Sequence, residues 1–192
     1  MPTTAAPNIT PGIAIQVEAD ATLSKGEPDK PYGLSPMLAV DGGGGESKHY
    51  DTILKFDMSF METGVSIDNV LLRLFVKDGS GHCGTFISMT NNWWSGNSVT
   101  SNSLNDDIGI VTGQAWDAKG GEWFEMDVIR TSNLIWNEDL DERASKKYLD
   151  IRISSNIVNR CLFSFSNGPP LLVPHLWITL KDEESRSIAA SL

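Results

Sequence analysis

Nine short apolar segments, each stopped by turn-forming residues, limit what this chain can fold into more than any other feature. They run Ile13 to Val17, Met37 to Val40, Thr52 to Met58, Val70 to Lys77, Gly84 to Met89, Trp123 to Val128, Leu149 to Ser154, Cys161 to Ser166 and Pro174 to Leu180. Each is four to eight residues long, rich in Ile, Val, Leu, Phe or Trp, and bounded by Gly, Asn, Asp, Ser or Pro. Segments of this length and punctuation are strands. About nine strands at this spacing suit two packed antiparallel sheets. The expected fold class is therefore all-β, an antiparallel β-sandwich of jelly-roll type. One interruption is expected: Ile129 to Lys147 carries Leu134, Ile135, Trp136 and Leu140 among charges with partial helical spacing, which predicts one short helix near an edge.

A chain of 192 residues holds one well-packed domain, with its ends left as tails. Residues 13–181 are read as that domain. Residues 1–12, with Pro2, Pro7 and Pro11 among Thr and Ala, read as a Pro/Thr linker, and 182–192 as a loosely held tail. The linker implies a module of a longer, multidomain parent protein, and its Asn8-Ile9-Thr10 is a sequon. A net charge of -10 argues against nucleic acid or an anionic membrane as partner, since both demand a basic footprint. No run approaches the roughly 20 apolar residues that span a bilayer. The two cysteines, Cys83 and Cys161, lack metal-type spacing. They are read either as one disulfide of an extracellular protein or as two buried thiols.

No catalytic signature stands in the sequence: no Gly-x-Ser-x-Gly, His-Glu-x-x-His or P-loop pattern occurs. The run Gly42 to Gly45 leads into no helix carrying Lys-Ser/Thr and reads as a turn. Function therefore has to come from exposed polar groups on a scaffold. Strand alternation turns Leu54 and Phe56 inward and Lys55 outward. By the same alternation Arg73 and Arg152 stand out among Leu72, Leu74, Ile151 and Ile153. These three cations could gather on one sheet face and attract carboxylate- or sulfate-bearing sugars; alternatively each is a solvated residue with no shared site. A second constellation, Glu18, Asp20 and Asp127, offers hard oxygen ligands for a structural Ca²⁺, against ordinary surface carboxylates. Among the aromatics, the tandem Trp93-Trp94 invites a sugar-stacking reading, weighed against the commoner burial of both against a loop, and Trp116, Trp123, Trp136 and Trp177 are read as core. Tyr32, in a Pro/Gly turn, is read as an exposed contact residue.

Taken in order, Ala19-Asp20-Ala21-Thr22, Pro28-Asp29, Tyr32-Gly33, Leu38-Ala39-Val40 and Ile53-Leu54-Lys55-Phe56-Asp57 resemble the DNRLRE-type domain, the family ninety-six carbohydrate-binding modules. The resemblance continues through Val70 to Val76, Trp94 with Val99-Thr100, and Trp123-Phe124-Glu125-Met126-Asp127-Val128, so that it covers roughly Ile13 to Leu180. It implies a β-sandwich of extracellular or cell-wall proteins that binds polysaccharide, in some members the uronic-acid polymer alginate. Ser101 replaces the Trp that usually follows Val-Thr, and Phe165-Ser166-Asn167 replaces a late Ser-Arg-Glu element. The reading is a non-catalytic polysaccharide-binding module, with Lys55, Arg73, Arg152 and Tyr32 as ligand-binding residues and an anionic polysaccharide as the favoured partner. The rival is a structural or adhesive cell-wall or matrix module making protein contacts. A lyase comes third and lacks an assembled catalytic cluster.

Overall fold

The computed structural model describes residues 12–43, 49–59, 67–89, 94–104, 111–128, 148–158 and 160–181. The expected helix over 129–147, the linker to residue 11, the tail from residue 182, Trp93 and Trp136 lie outside the described residues. Eleven strands follow in chain order: β1 (Gly12–Gln16), β2 (Ala19–Ser24), β3 (Leu38–Gly42), β4 (His49–Asp57), β5 (Ile67–Asp78), β6 (Ser80–Met89), β7 (Val111–Lys119), β8 (Trp123–Asp127), β9 (Tyr148–Ser154), β10 (Cys161–Phe163) and β11 (His175–Leu180). The only helical turn among the described residues is a 3₁₀ turn at Pro170–Leu172. Every strand pairing is antiparallel.

Two layers result. One holds β1-β11-β5-β8 and the other β2-β4-β9-β6-β7, with β3 meeting the end of β4 and β10 lacing the layers together by pairing with both β3 and β5. Period-two alternation puts Leu54 and Phe56 of β4 and Leu149, Ile151 and Ile153 of β9 on the inner face of one layer. Val70, Leu72, Leu74 and Val76 of β5, with Leu176 and Ile178 of β11, come from the other, and all share one core with exposures near zero. This interdigitation makes the architecture a sandwich. Cys83 of β6 and Cys161 of β10, both fully buried, form a disulfide that closes a separation of 78 residues.

All nine expected segments are strands, and two further strands went unread. β7 carries Gly113, Gln114 and Asp117 within its nine residues, which blurs alternation. β2 reads Ala-Asp-Ala-Thr-Leu-Ser, small and polar rather than β-branched, yet five of its six residues are buried. It is buried because a second, smaller core forms outside the sandwich: Ala21, Leu23 and Ile53 on the outer face of the β2–β4 layer are covered by Val99, Leu104 and the half-buried Trp94. The 94–104 segment is thus packed onto the sheet, and it is tied to the 25–36 loop by Asn102, whose backbone N–H donates to the Pro28 carbonyl and whose side chain donates to Asp29 at 2.8 Å.

Candidate functional site

Covering one end of the outer face leaves the other end open as a cleft of about 630 Å³. Its floor is the stretch of β2 from Ala19 to Asp20 against Lys55 of β4; its walls are Trp94 to Asn97, Tyr148, and Ser166 with Asn167. Gly33 and Gly96 meet at its rim, where a Cβ on Gly33 would collide with the Gly96 carbonyl oxygen. Only glycine allows the two loops to close together there.

Lys55 is the centre of the site. It faces outward from β4 as alternation requires, but it is only 6% exposed. Its ammonium donates to the Trp94 carbonyl at 2.7 Å and stands 4.6 Å from the Trp94 ring centroid and 5.0 Å from that of Tyr148. Such a position suits a cation partly removed from water. Asp150 lies cross-strand from Lys55 on β9, and the two side chains interact electrostatically. Burial pushes the Asp150 carboxyl up to about 7, against the opposing pull of Lys55 and of the Trp94 indole N–H. That indole N–H and Asp150 Oδ1 are both buried and neither completes a hydrogen bond of good geometry, so the pull is a near-contact one.

Carboxylates dominate the rest of the site. Asp20, 5% exposed, accepts from the Ser166 backbone N–H at 2.5 Å and from its hydroxyl at 3.0 Å. Burial raises its proton affinity, and these two bonds oppose the rise. Exposed Glu18 acts most strongly on Tyr148, whose phenol is held above its ordinary range by Glu18 first, then by desolvation, Asp57 and Asp150.

The expected ligand residues do not assemble. Lys55 and Arg152 share the outer face of the β4–β9 layer, but Arg152 gives both Nε and Nη2 to buried Asp51, at 3.0 and 2.5 Å, and Asp51 also lies 3.2 Å from His49. Arg73 lies on the opposite outer face of the sandwich, because Leu72 and Leu74 beside it fill the core from the other layer. There its Nε is 2.8 Å from Glu125, an ion pair without hydrogen-bond alignment, and its guanidinium lies 5.2 Å from the Trp123 ring centroid. The shared cationic face is therefore absent. Tyr32 is half-buried beside the cleft rather than in it; its hydroxyl donates to Glu27 and its ring receives Lys30 at 4.9 Å.

The expected calcium set fares likewise. Glu18 and Asp20 border the cleft, whereas Asp127 sits on β8, paired with Leu71 in the other layer. No three acidic, His or Cys groups among the described residues stand as a metal cluster, so the residues do not fit the Ca²⁺ anticipated for them. Trp123 and Trp177, expected in the core, are half-exposed on the outer face of the β5–β11 layer. Sequence reasoning weighed Trp94 for sugar stacking but favoured its burial, and it missed Tyr148 and Ser166 as site residues. A signal existed only for the first and last: Trp94 follows the Trp93 position at a loop, and Ser166 lies where the late element departs from the pattern it resembles.

An antiparallel β-sandwich with a polar, aromatic-walled cleft formed by loops on one sheet is an architecture of small binding modules. The model of carbohydrate-binding module family 96 matches residues 12–145, and the protein belongs to that family. No curated protein matches the chain. The matched span takes in β1 to β8 and Trp94 but ends before Tyr148, Asp150 and Ser166, which complete the cleft.

Proposed function

We propose that the protein is a non-catalytic polysaccharide-binding module of an extracellular protein and that the Lys55 cleft receives the sugar chain. Family membership supports the first part. The observation that carries the second is the pairing of two ring walls, Trp94 and Tyr148, with hydroxyl-binding groups at Glu18, Asp20, Ser95 and Asn97 in one open cleft. Pyranose rings present apolar C–H faces and polar rims, and such a mixed wall answers both. An extracellular or cell-wall setting is supported by the Cys83–Cys161 disulfide, a bond that persists in oxidising compartments. Among the described residues no helix is long and apolar enough to cross a membrane.

The uronic-acid preference had two supports, the family resemblance and Lys55, Arg73 and Arg152 acting together; the separation of the cations removes the second and leaves the first. Affinity electrophoresis through a panel of neutral and anionic polysaccharides tests the module. Retention by at least one polymer, lost in Trp94→Ala and in Asn97→Ala/Asn167→Ala, is expected. Retention by none, or retention untouched by both variants, would move the site elsewhere or favour a protein-contact role.

A further inference from the structure

We infer that the sandwich carries a second glycan-binding surface on the outer face of its β1-β11-β5-β8 layer, where Trp177 and Trp123 stack on the pyranose rings of a polysaccharide chain. This surface is separate from the Lys55 cleft, which opens on the outer face of the other layer. Alternation turns Leu72 and Leu74 of β5 and Leu176 and Ile178 of β11 into the core. The same alternation sends Arg73, Phe75, Trp123, Glu125, His175 and Trp177 outward. Both tryptophans are partly exposed there. Large rings left on an outward sheet face contribute little to the core, and a partner that stacks on them gives them a task.

Both indoles are held in place before any ligand arrives. Trp177 lies against the bare backbone of Gly12 in the neighbouring strand, where a Cβ would stand 2.5 Å from the ring. Trp123 meets the Phe75 ring edge-on, with centroids 5.7 Å apart. It also meets His175, from the strand on the far side of β5, at 5.2 Å, so its indole reaches across β5. Arg73 lies 5.2 Å from the same ring and is ion-paired with exposed Glu125. The two tryptophans stand opposite Leu71 and Phe75, a separation of about 13 Å along the strand. Rings fixed in this way lose little freedom on binding. Apolar C–H faces of pyranose rings suit the indoles, and their hydroxyls find donors and acceptors in Arg73, Glu125 and His175. A protein partner fits less well, because interface cores shed acidic side chains and Glu125 stands beside Trp123. An open face lacks the enclosing walls of a cleft, so it takes an extended chain and holds it more weakly than the Lys55 site does. Since the two sites look in opposite directions, one module can hold two chains together.

The test is affinity electrophoresis of the full chain in alginate, polygalacturonate, soluble β-glucan and xylan, with light scattering of each protein–polymer mixture to read the bridging of chains. Trp177→Ala and Trp123→Ala should each weaken retention about fivefold and abolish the rise in scattering. Trp94→Ala, which strips the cleft of a wall, should abolish that rise as well. Trp177 lies outside the core, so Trp177→Ala keeps the parent's melting curve and decides the question alone if Trp123→Ala fails to fold. Retention and scattering unchanged in Trp177→Ala, with retention lost in Trp94→Ala, would overturn the second surface and leave the cleft. Retention untouched by Trp94→Ala but weakened by Trp177→Ala would refute the cleft and leave the second surface standing. A sedimentation shift from dimer to monomer in Trp177→Ala, with retention unchanged, would overturn the inference in favour of contact between copies of the chain. Retention by none of the four polymers would overturn this surface and the polysaccharide-binding reading together.

Discussion

Replacing Asp150 with Asn isolates the cost of ionising a carboxyl beside Lys55 and Trp94. In the folded protein that carboxyl is pushed from its ordinary 3.8 to about 7, chiefly by burial. Its folded pKa lies above its unfolded one, so between pH 4 and 7 the native state holds more protons than the unfolded chain. Stability therefore falls as pH rises through this window, and the full penalty is present above about 7. At about 1.4 kcal/mol per pH unit the complete shift corresponds to about 4 kcal/mol, of which about 2.5 kcal/mol accrues between pH 5 and 8. Asparagine keeps the shape and cannot ionise. Asp150→Asn should accordingly be more stable than the parent at pH 8, by about 2 kcal/mol once relaxation around the site is allowed for, and by somewhat under 1 kcal/mol at pH 5, where about a third of the penalty has accrued. The assay is urea denaturation at both pH values, comparing the difference between variant and parent because Asp20, also raised by burial, contributes to both. An unchanged difference from pH 5 to 8 would refute the burial argument. A loss of stability at pH 8 would show instead that Lys55 needs the Asp150 charge more than the fold resents it.

Arg152→Ala leaves Asp51, 1% exposed, with only His49 as side-chain partner among the described residues, and should cost about 3 kcal/mol in urea denaturation while sparing glycan retention; a loss below 1 kcal/mol would mean that solvent reaches the pair. Converting both Cys83 and Cys161 to Ser frees a 78-residue loop in the unfolded chain and should lower stability by about 4 kcal/mol, with reductant having no further effect on the variant. Gly33→Ala forces the 33 and 96 backbones apart. It should shift the Trp fluorescence and weaken glycan retention by about tenfold, roughly 1.4 kcal/mol of binding energy, with a smaller effect on global stability; unchanged retention would show that the rim does not shape the site.

Strands were legible where one layer's inner face imposes period two, as at Leu54-Lys55-Phe56 and Leu72-Arg73-Leu74, because alternation is local and each residue's direction follows from its neighbours. β2 was not, for a physical reason: Ala19 to Ser24 is packed on both sides, by the sandwich and by the 94–104 segment, and a strand covered twice with small and polar residues shows no alternation. The same covering segment explains why the site was misread. Outwardness of Lys55, Arg73 and Arg152 could be deduced from sequence, but outward from which layer could not, since that depends on the pairing of β4 with β9 and of β5 with β8 and β11. Two sheets give two outer faces, and three cations distributed over them make no common field. What the pairing does create is a cleft whose members come from β2, β4, the 94–97 loop, β9 and the 166–167 turn, none of which carries a motif for the others. In such a site the charge balance is a property of assembly: Lys55 looks like a ligand-seeking cation in the sequence and becomes, once Trp94, Tyr148 and Asp150 close around it, the buried counterweight of an otherwise acidic pocket.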